Sequence, residues 1–182
     1  MVQLWYINSG SEDQHLEHHL TPPQFADLDQ INKETGVSYW KIDPNSEDGV
    51  ATLAKLKSDR GYNYEDISEI SKDTLPNYEQ RVKAIFTEHI HTEEEIRYVL
   101  DGSGYFDIRD ASDRWVRIKV TPGDLLVLPA GIYHRFTLDT NNYIKTKRLF
   151  VCEPVWLAHN RPAEGMDARK CYVEKQNKGF TE

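Results

Sequence analysis

The sequence predicts a mainly β protein, a sandwich or barrel with a few helices packed outside it. From Glu88 onward apolar side chains alternate with a period of two. Turn-forming clusters break that stretch at close intervals: Asp101-Gly102-Ser103-Gly104, Asp110-Ala111-Ser112-Asp113, Thr121-Pro122-Gly123-Asp124, Pro129-Ala130-Gly131 and Asp139-Thr140-Asn141-Asn142. Before Glu88 the apolar spacing is mostly that of helix faces. At 182 residues the chain suits one domain with a sizeable core.

In chain order, Leu4, Trp5, Tyr6 and Ile7 read as a short strand, followed by a polar loop with His15, His18 and His19. No carboxylate or cysteine spacing completes a metal site there, so the loop reads as exposed. Residues 25–35 have helical character, with Leu28 and Ile31 three apart and Gly36 placed as a stop. Residues 37–42 read as a strand. Val50, Leu53 and Leu56 give 45–60 a helical face that Gly61 ends, and a shorter helix is expected over 64–71. Pro76 can open another helix, whose stripe of Tyr78, Val82, Ile85 and Phe86 reads as core rather than as a cofactor pocket. After Trp156, residues 157–182 are polar and weakly patterned, broken by Pro162 and Gly165. They are expected to lie over the barrel or fray.

Thirty acidic against twenty-two basic residues give a formal charge of -8, which argues against a nucleic acid or an anionic membrane as the main partner. Any anionic substrate then needs local positive charge. Cys152 and Cys171 are the two cysteines, without a Cys-x-x-Cys pair, so neither a disulfide framework nor a thiolate zinc site is suggested. There is no basic-then-apolar leader and no stretch of membrane-span length. The expectation is a soluble protein of a reducing compartment.

The chemistry concentrates in Glu88-His89-Ile90-His91-Thr92-Glu93-Glu94-Glu95-Ile96-Arg97 and in Pro129-Ala130-Gly131-Ile132-Tyr133-His134. On a strand, His89 and His91 point the same way, roughly 7 Å apart at their backbones. Two imidazoles can then converge on one ion. Thr92-Glu93-Glu94 reads as a short connection, after which Ile96, Tyr98 and Leu100 alternate with Glu95, Arg97 and Val99. Glu95 and Arg97 thus share a face. Ile132, His134, Phe136 and Leu138 share another, so His134 projects toward an interior. Three neutral imidazoles and a carboxylate suit iron, nickel, cobalt, manganese or zinc better than calcium or magnesium. By the same alternation Glu88 faces away from His89, and Tyr133 and Arg135 face away from His134. Glu93 and Glu94 read as solvated turn charges.

These blocks resemble the two cupin motifs: His89-x-His91, three residues, Glu95, six residues, Gly102; then Gly123, five residues, Pro129-x-Gly131, two residues, His134. Lys83 stands where the first motif usually opens with Gly, and Leu138 where many second motifs close with Asn. The match narrows through Glu94-Glu95-Ile96-Arg97-Tyr98, Gly102-Ser103-Gly104-Tyr105-Phe106-Asp107, residues 128–137 (LPAGIYHRFT) and Arg148-Leu149-Phe150, which together resemble the acireductone dioxygenase family of methionine salvage. Val2-Gln3-Leu4-Trp5-Tyr6, Asp73-Thr74-Leu75-Pro76-Asn77-Tyr78 and Glu153-Pro154-Val155-Trp156 extend the resemblance over nearly the whole chain.

The resemblance implies a single cupin domain over 1–182, a double-stranded β-helix or jelly-roll barrel with flanking α-helices. Its parts would be a mixed N-terminal segment 1–87, a metal-binding barrel 88–156 and a tail 157–182. It implies one Fe(2+) or Ni(2+) per chain on His89, His91, Glu95 and His134. Dioxygen and an enediol, 1,2-dihydroxy-5-(methylthio)pent-1-en-3-one, are the implied reactants. The iron form would yield 4-methylthio-2-oxobutanoate and formate, and the nickel form 3-methylthiopropanoate, formate and carbon monoxide. Arg97, on the face of Glu95, is expected to stabilise substrate oxygens or to orient Glu95. Arg148 is a second candidate cation, with a solvated surface charge as its alternative. Phe136 and Trp156 are candidate walls for the methylthio end or plain core aromatics. A monomer in the cytoplasm, with access to the nucleus, is expected. Another cupin reaction on a different enediol or sugar, and a binding domain with a purely structural metal, remain alternatives at this stage.

Overall fold

A computed structural model describes residues 2–8, 13–154 and 157–180. Strand β1 (Gln3–Tyr6) buries Leu4 and Trp5, and the chain returns to it before the first helix. Ala26 N–H donates to the Leu4 carbonyl at 2.9 Å and Phe25 bridges to Trp5. That pairing keeps 25–26 extended, so helix α1 (Leu28–Thr35) begins later than its apolar spacing implies. Asp27 starts it by accepting from Gln30 N–H at 2.9 Å, and Gly36 ends it in the left-handed region, φ 74°. Strand β2 (Ser38–Lys41) and helix α2 (Glu47–Arg60) follow, the latter capped by Ser46 and stopped by Gly61.

Strand β3 (Tyr64–Ile70) corrects the helical reading of 64–71. Tyr64, Ile67 and Ile70 stand three apart and mimic a helix face locally. A distant partner overrides that hint: residues 144–150 pair antiparallel with all seven residues of β3. Alternation then sets Asp66, Ser68 and Ile70 on one face and leaves Ile67 half exposed on the other. Helix α3 (Tyr78–Ile85) contributes Val82 to the buried set. Lys83 lies in its last turn, so that departure from the cupin pattern falls on a helix, where no glycine turn is needed.

The remaining strands are β4 (His89–Ile90), β5 (Glu95–Gly102), β6 (Gly104–Arg109), β7 (Trp115–Val120), β8 (Asp124–Leu128), β9 (His134–Leu138), β10 (Ile144–Phe150) and β11 (His159–Asn160). Two antiparallel sheets result, ordered β1-β7-β6-β9-β4-β11 and β2-β8-β5-β10-β3. Phe106, Ile108, Ile118 and Phe136 from the first meet Val99, Leu126, Leu128 and Ile144 from the second in the main core. Leu138 is buried there, which accounts for the other departure from the motif. On the far side of the five-stranded sheet, Ile96, Tyr98, Leu125 and Val127 pack against Leu56 of α2. β8 is therefore apolar along most of its length, as a strand covered on both faces must be.

The tail holds β11 and helix α4 (Asp167–Lys178), a helix that its sequence pattern does not announce. Only Tyr172 of α4 is buried, and its hydroxyl donates to the Thr35 carbonyl at 3.1 Å. One anchoring side chain leaves no stripe to read. The helix seats against the turn before β9: at Gly131, φ 83°, an added Cβ would lie 2.3 Å from the Ala168 carbonyl oxygen. Only glycine combines that backbone with that approach.

Candidate metal centre

Short strands deliver the four candidate ligands to one end of the main core. His89 lies directly opposite His134 in the β4–β9 pair, His91 follows β4, and Glu95 opens β5. His89, Glu95 and His134 are buried. The imidazole centroids stand 4.5 Å (His89 to His134), 4.9 Å (His89 to His91) and 5.3 Å (His91 to His134) apart. One ligand atom from each of the four residues lies within 4.8 Å of the others. Among the described residues this is the one such group. His15, His18 and His19 are not in it; they contact Asp13 and Glu17 in their loop, and they are half-buried where the sequence reading expects exposure, the His19 ring stacking on Trp5.

Hydrogen bonds decide which ring nitrogens face inward. Nδ1 of His89, His91 and His134 lies against the carbonyls of Thr87 (2.6 Å), Leu157 (2.9 Å) and Ile132 (2.9 Å). A carbonyl only accepts, so each Nδ1 carries the proton, and in the neutral ring each Nε2 keeps a lone pair. Outer partners of this kind fix the tautomer and orientation of a metal-bound histidine. Nε2 of His91 and of His134 each stand 3.1 Å from Glu95 Oε2. The donor set, three nitrogens and a carboxylate oxygen, fits a divalent first-row transition ion.

Charge supports the same arrangement. Burial, and then the neighbouring His134, push His89 down to about 4, which keeps it neutral at physiological pH. Burial opposes ionisation of Glu95, but the Arg97 guanidinium, and after it the adjoining His134 and His91, outweigh it and hold the carboxyl well below its usual range. Burial also pulls His91 down, yet its contact with Glu95 raises it on balance. Arg97 Nη2 sits 3.2 Å from Glu95 Oε1, and Arg97 Nη1 donates to the Ile96 carbonyl at 3.1 Å.

A cavity of about 270 Å³ opens beside these ligands. Arg97 and Arg148 line it, with Ser68 and Thr146 as further polar groups. Its apolar wall includes Ile70, Ile85, Phe106, Phe136 and Ile144. Phe136 is both core and wall, its ring 4.8 Å from that of Phe106. Arg148 is no solvated surface charge, since Asp66 accepts from its Nε and Nη2, each at 2.6 Å. Trp156 lies outside the described residues. The stripe of α3 does not serve the core alone, because Ile85 also lines the cavity.

Several cavity residues escape sequence reasoning. Ser68 and Ile70 sit on the strand misread as a helix, whereas Thr146 alternates with Arg148 on β10 and was open to the period-two argument. Groups placed outside the site are outside it. Glu88 accepts from Arg109 and Arg161, Arg135 donates to Asp107 at 2.9 Å, and the Tyr133 hydroxyl bonds Glu164 at 2.9 Å. Glu94 is more than a solvated charge, as it accepts from the Tyr62 hydroxyl at 2.8 Å.

A model of the ARD/ARD′ family matches residues 3–158. An acireductone dioxygenase of Drosophila melanogaster is 54% identical over 182 residues, covering 100% of this chain and 98% of the relative. The chain belongs to the acireductone dioxygenase family. Acireductone dioxygenase 4 of Arabidopsis thaliana is 52% identical, covering 94% of this chain and 91% of its own. Among solved structures, an acireductone dioxygenase from Bacillus anthracis with a cadmium ion in its active centre superposes with a TM-score of 0.65. It covers 87% of this chain and 97% of its own. At 22% identity that likeness bears on the fold, which is the cupin fold of the family. Family membership together with the three-histidine, one-glutamate group supports a metal-binding dioxygenase.

Proposed function

We propose that this chain is an acireductone dioxygenase of methionine salvage. It cleaves 1,2-dihydroxy-5-(methylthio)pent-1-en-3-one with dioxygen, using one Fe(2+) or Ni(2+) held by His89, His91, Glu95 and His134. The observation that carries the reading is the three Nδ1 anchors, which aim three imidazole Nε2 atoms and Glu95 at one point beside a cavity with two guanidinium groups. A purely structural metal site is closed by its protein ligands and has no use for neighbouring cations or an adjoining cavity.

When bound, the metal supplies Lewis-acid stabilisation of the enediol's anionic oxygens. The chain's residues do the rest. Arg97 and Arg148 place charge-assisted donors at the substrate's oxygen-bearing end and offset its negative charge in a protein whose net charge is -8. Phe136 and the aliphatic wall receive the methylthio end and exclude water from it. With iron the products are 4-methylthio-2-oxobutanoate and formate; with nickel, 3-methylthiopropanoate, formate and carbon monoxide. Both oxygen atoms of dioxygen end in products in either case.

Among the described residues no helix is long and apolar enough to cross a membrane. We assign the chain as a single-domain monomer of the cytoplasm with access to the nucleus, without nucleic-acid or membrane partners. Dioxygen uptake on adding the enediol to iron(II)-reconstituted protein, against the same protein stripped of metal, tests the function. Uptake restricted to the loaded protein is expected. Equal uptake in both, or none in either, contradicts the reading.

A further inference from the structure

The five-stranded sheet carries a row of four charged side chains. Arg97 on β5 lies directly opposite Arg148 on β10, which lies directly opposite Asp66 on β3, and Glu95 is two residues before Arg97 on the same face. Like charges directly opposite one another on a sheet are destabilising, so two facing arginines call for compensation. Each has a carboxylate beside it. Arg97 Nη2 is 3.2 Å from Glu95 Oε1, and Arg148 donates through Nε to Asp66 Oδ1 and through Nη2 to Asp66 Oδ2, both at 2.6 Å. The two guanidinium groups line the cavity while Asp66 stands behind Arg148, outside the lining.

We propose that Asp66 is a positioning residue of this site, gripping the Nε–Nη2 edge of Arg148 and so holding its guanidinium group at the cavity wall for a bound anionic oxygen. The inference rests on the function proposed above. A paired, planar contact of this kind fixes the guanidinium in its plane, and the ordering cost is met before substrate arrives. The Arg148 and Asp66 side chains are 22% and 30% exposed, so neither lies in the closed core.

The test measures kcat/KM for the enediol, by dioxygen uptake, in iron-loaded wild type, Asp66→Ala, Arg148→Ala and the double variant, with metal content determined for each. Each single variant is expected to keep its metal and to lose about ten- to a hundredfold in kcat/KM. The double variant should be no worse than Arg148→Ala alone, because Asp66 acts through Arg148. Asp66→Glu should recover part of the loss, and Asp66→Asn none. A readout without turnover accompanies these: in metal-free protein the Arg148 Nε–H resonance should exchange slowly in wild type and rapidly in Asp66→Asn. Wild-type kcat/KM in either single variant overturns the proposal, as do additive losses in the double variant or an Arg148 resonance indifferent to Asp66. Wild type that binds iron but consumes no dioxygen sinks the functional reading first, and this assignment falls with it.

Discussion

At the level of single residues, the centre depends on main-chain carbonyls as much as on the side chains that converge. Thr87, Ile132 and Leu157 each hold one Nδ1, and the sequence gives no sign of them. What the sequence does show is the residue types and their spacing. Alternation placed His89, Glu95, Arg97 and His134 inward and Glu88, Tyr133 and Arg135 outward without any long-range information. Replacing one ligand, His91→Ala, should weaken iron or nickel binding at least tenfold to a hundredfold, the order seen when only an outer partner is lost. Full occupancy at the same free metal concentration would remove His91 from the site. Arg97→Ala should behave differently, retaining metal while kcat/KM falls about tenfold to a hundredfold, the worth of a charge-assisted hydrogen bond. Unchanged turnover would refute a role at the substrate and leave only its contact with Glu95.

At the level of elements, helices with strong caps and strands with strict alternation were legible, whereas β3 and α4 were not. Ser46 and Gly61 bracket α2, and Gly36 ends α1, by local rules. β3 takes its conformation from β10, and α4 from a seat on the Gly131 turn, neither of which is visible in a local window. The misreading of β3 hid Asp66, Ser68 and Ile70 together. Gly131 also donates its N–H to the His91 carbonyl at 3.0 Å, so this turn joins α4 to the metal-binding loop. Gly131→Ala would need a left-handed alanine with its Cβ against the Ala168 carbonyl, and should cost at least about 2 kcal/mol. A lowered urea midpoint checks this, and an unchanged midpoint would mean that α4 does not seat as described.

At the level of the whole molecule, the two sheets bury several tyrosines whose hydroxyls stay protonated. Burial pushes Tyr105 up to about 12 and raises Tyr62 and Tyr172 as well. A folded value above the unfolded one means stability present in full below about pH 10 and lost as pH rises toward the folded value. Each such tyrosine removes up to about 1.4 kcal/mol per pH unit in that window. Urea midpoints between pH 9 and 11 should therefore fall, less steeply in Tyr105→Phe; parallel curves would contradict this. The mainly β architecture was legible because turn clusters punctuate a period-two pattern, and family membership because the motif runs extend from Val2 to Trp156. The metal loaded in the cell is not written in that pattern, since three imidazoles and a carboxylate accept several ions. The most direct measurement is product analysis after iron-loaded protein turns over the enediol under dioxygen. The account predicts equal amounts of formate and 4-methylthio-2-oxobutanoate for each dioxygen consumed; an enediol isomerised or left intact by protein with one bound iron per chain would contradict it.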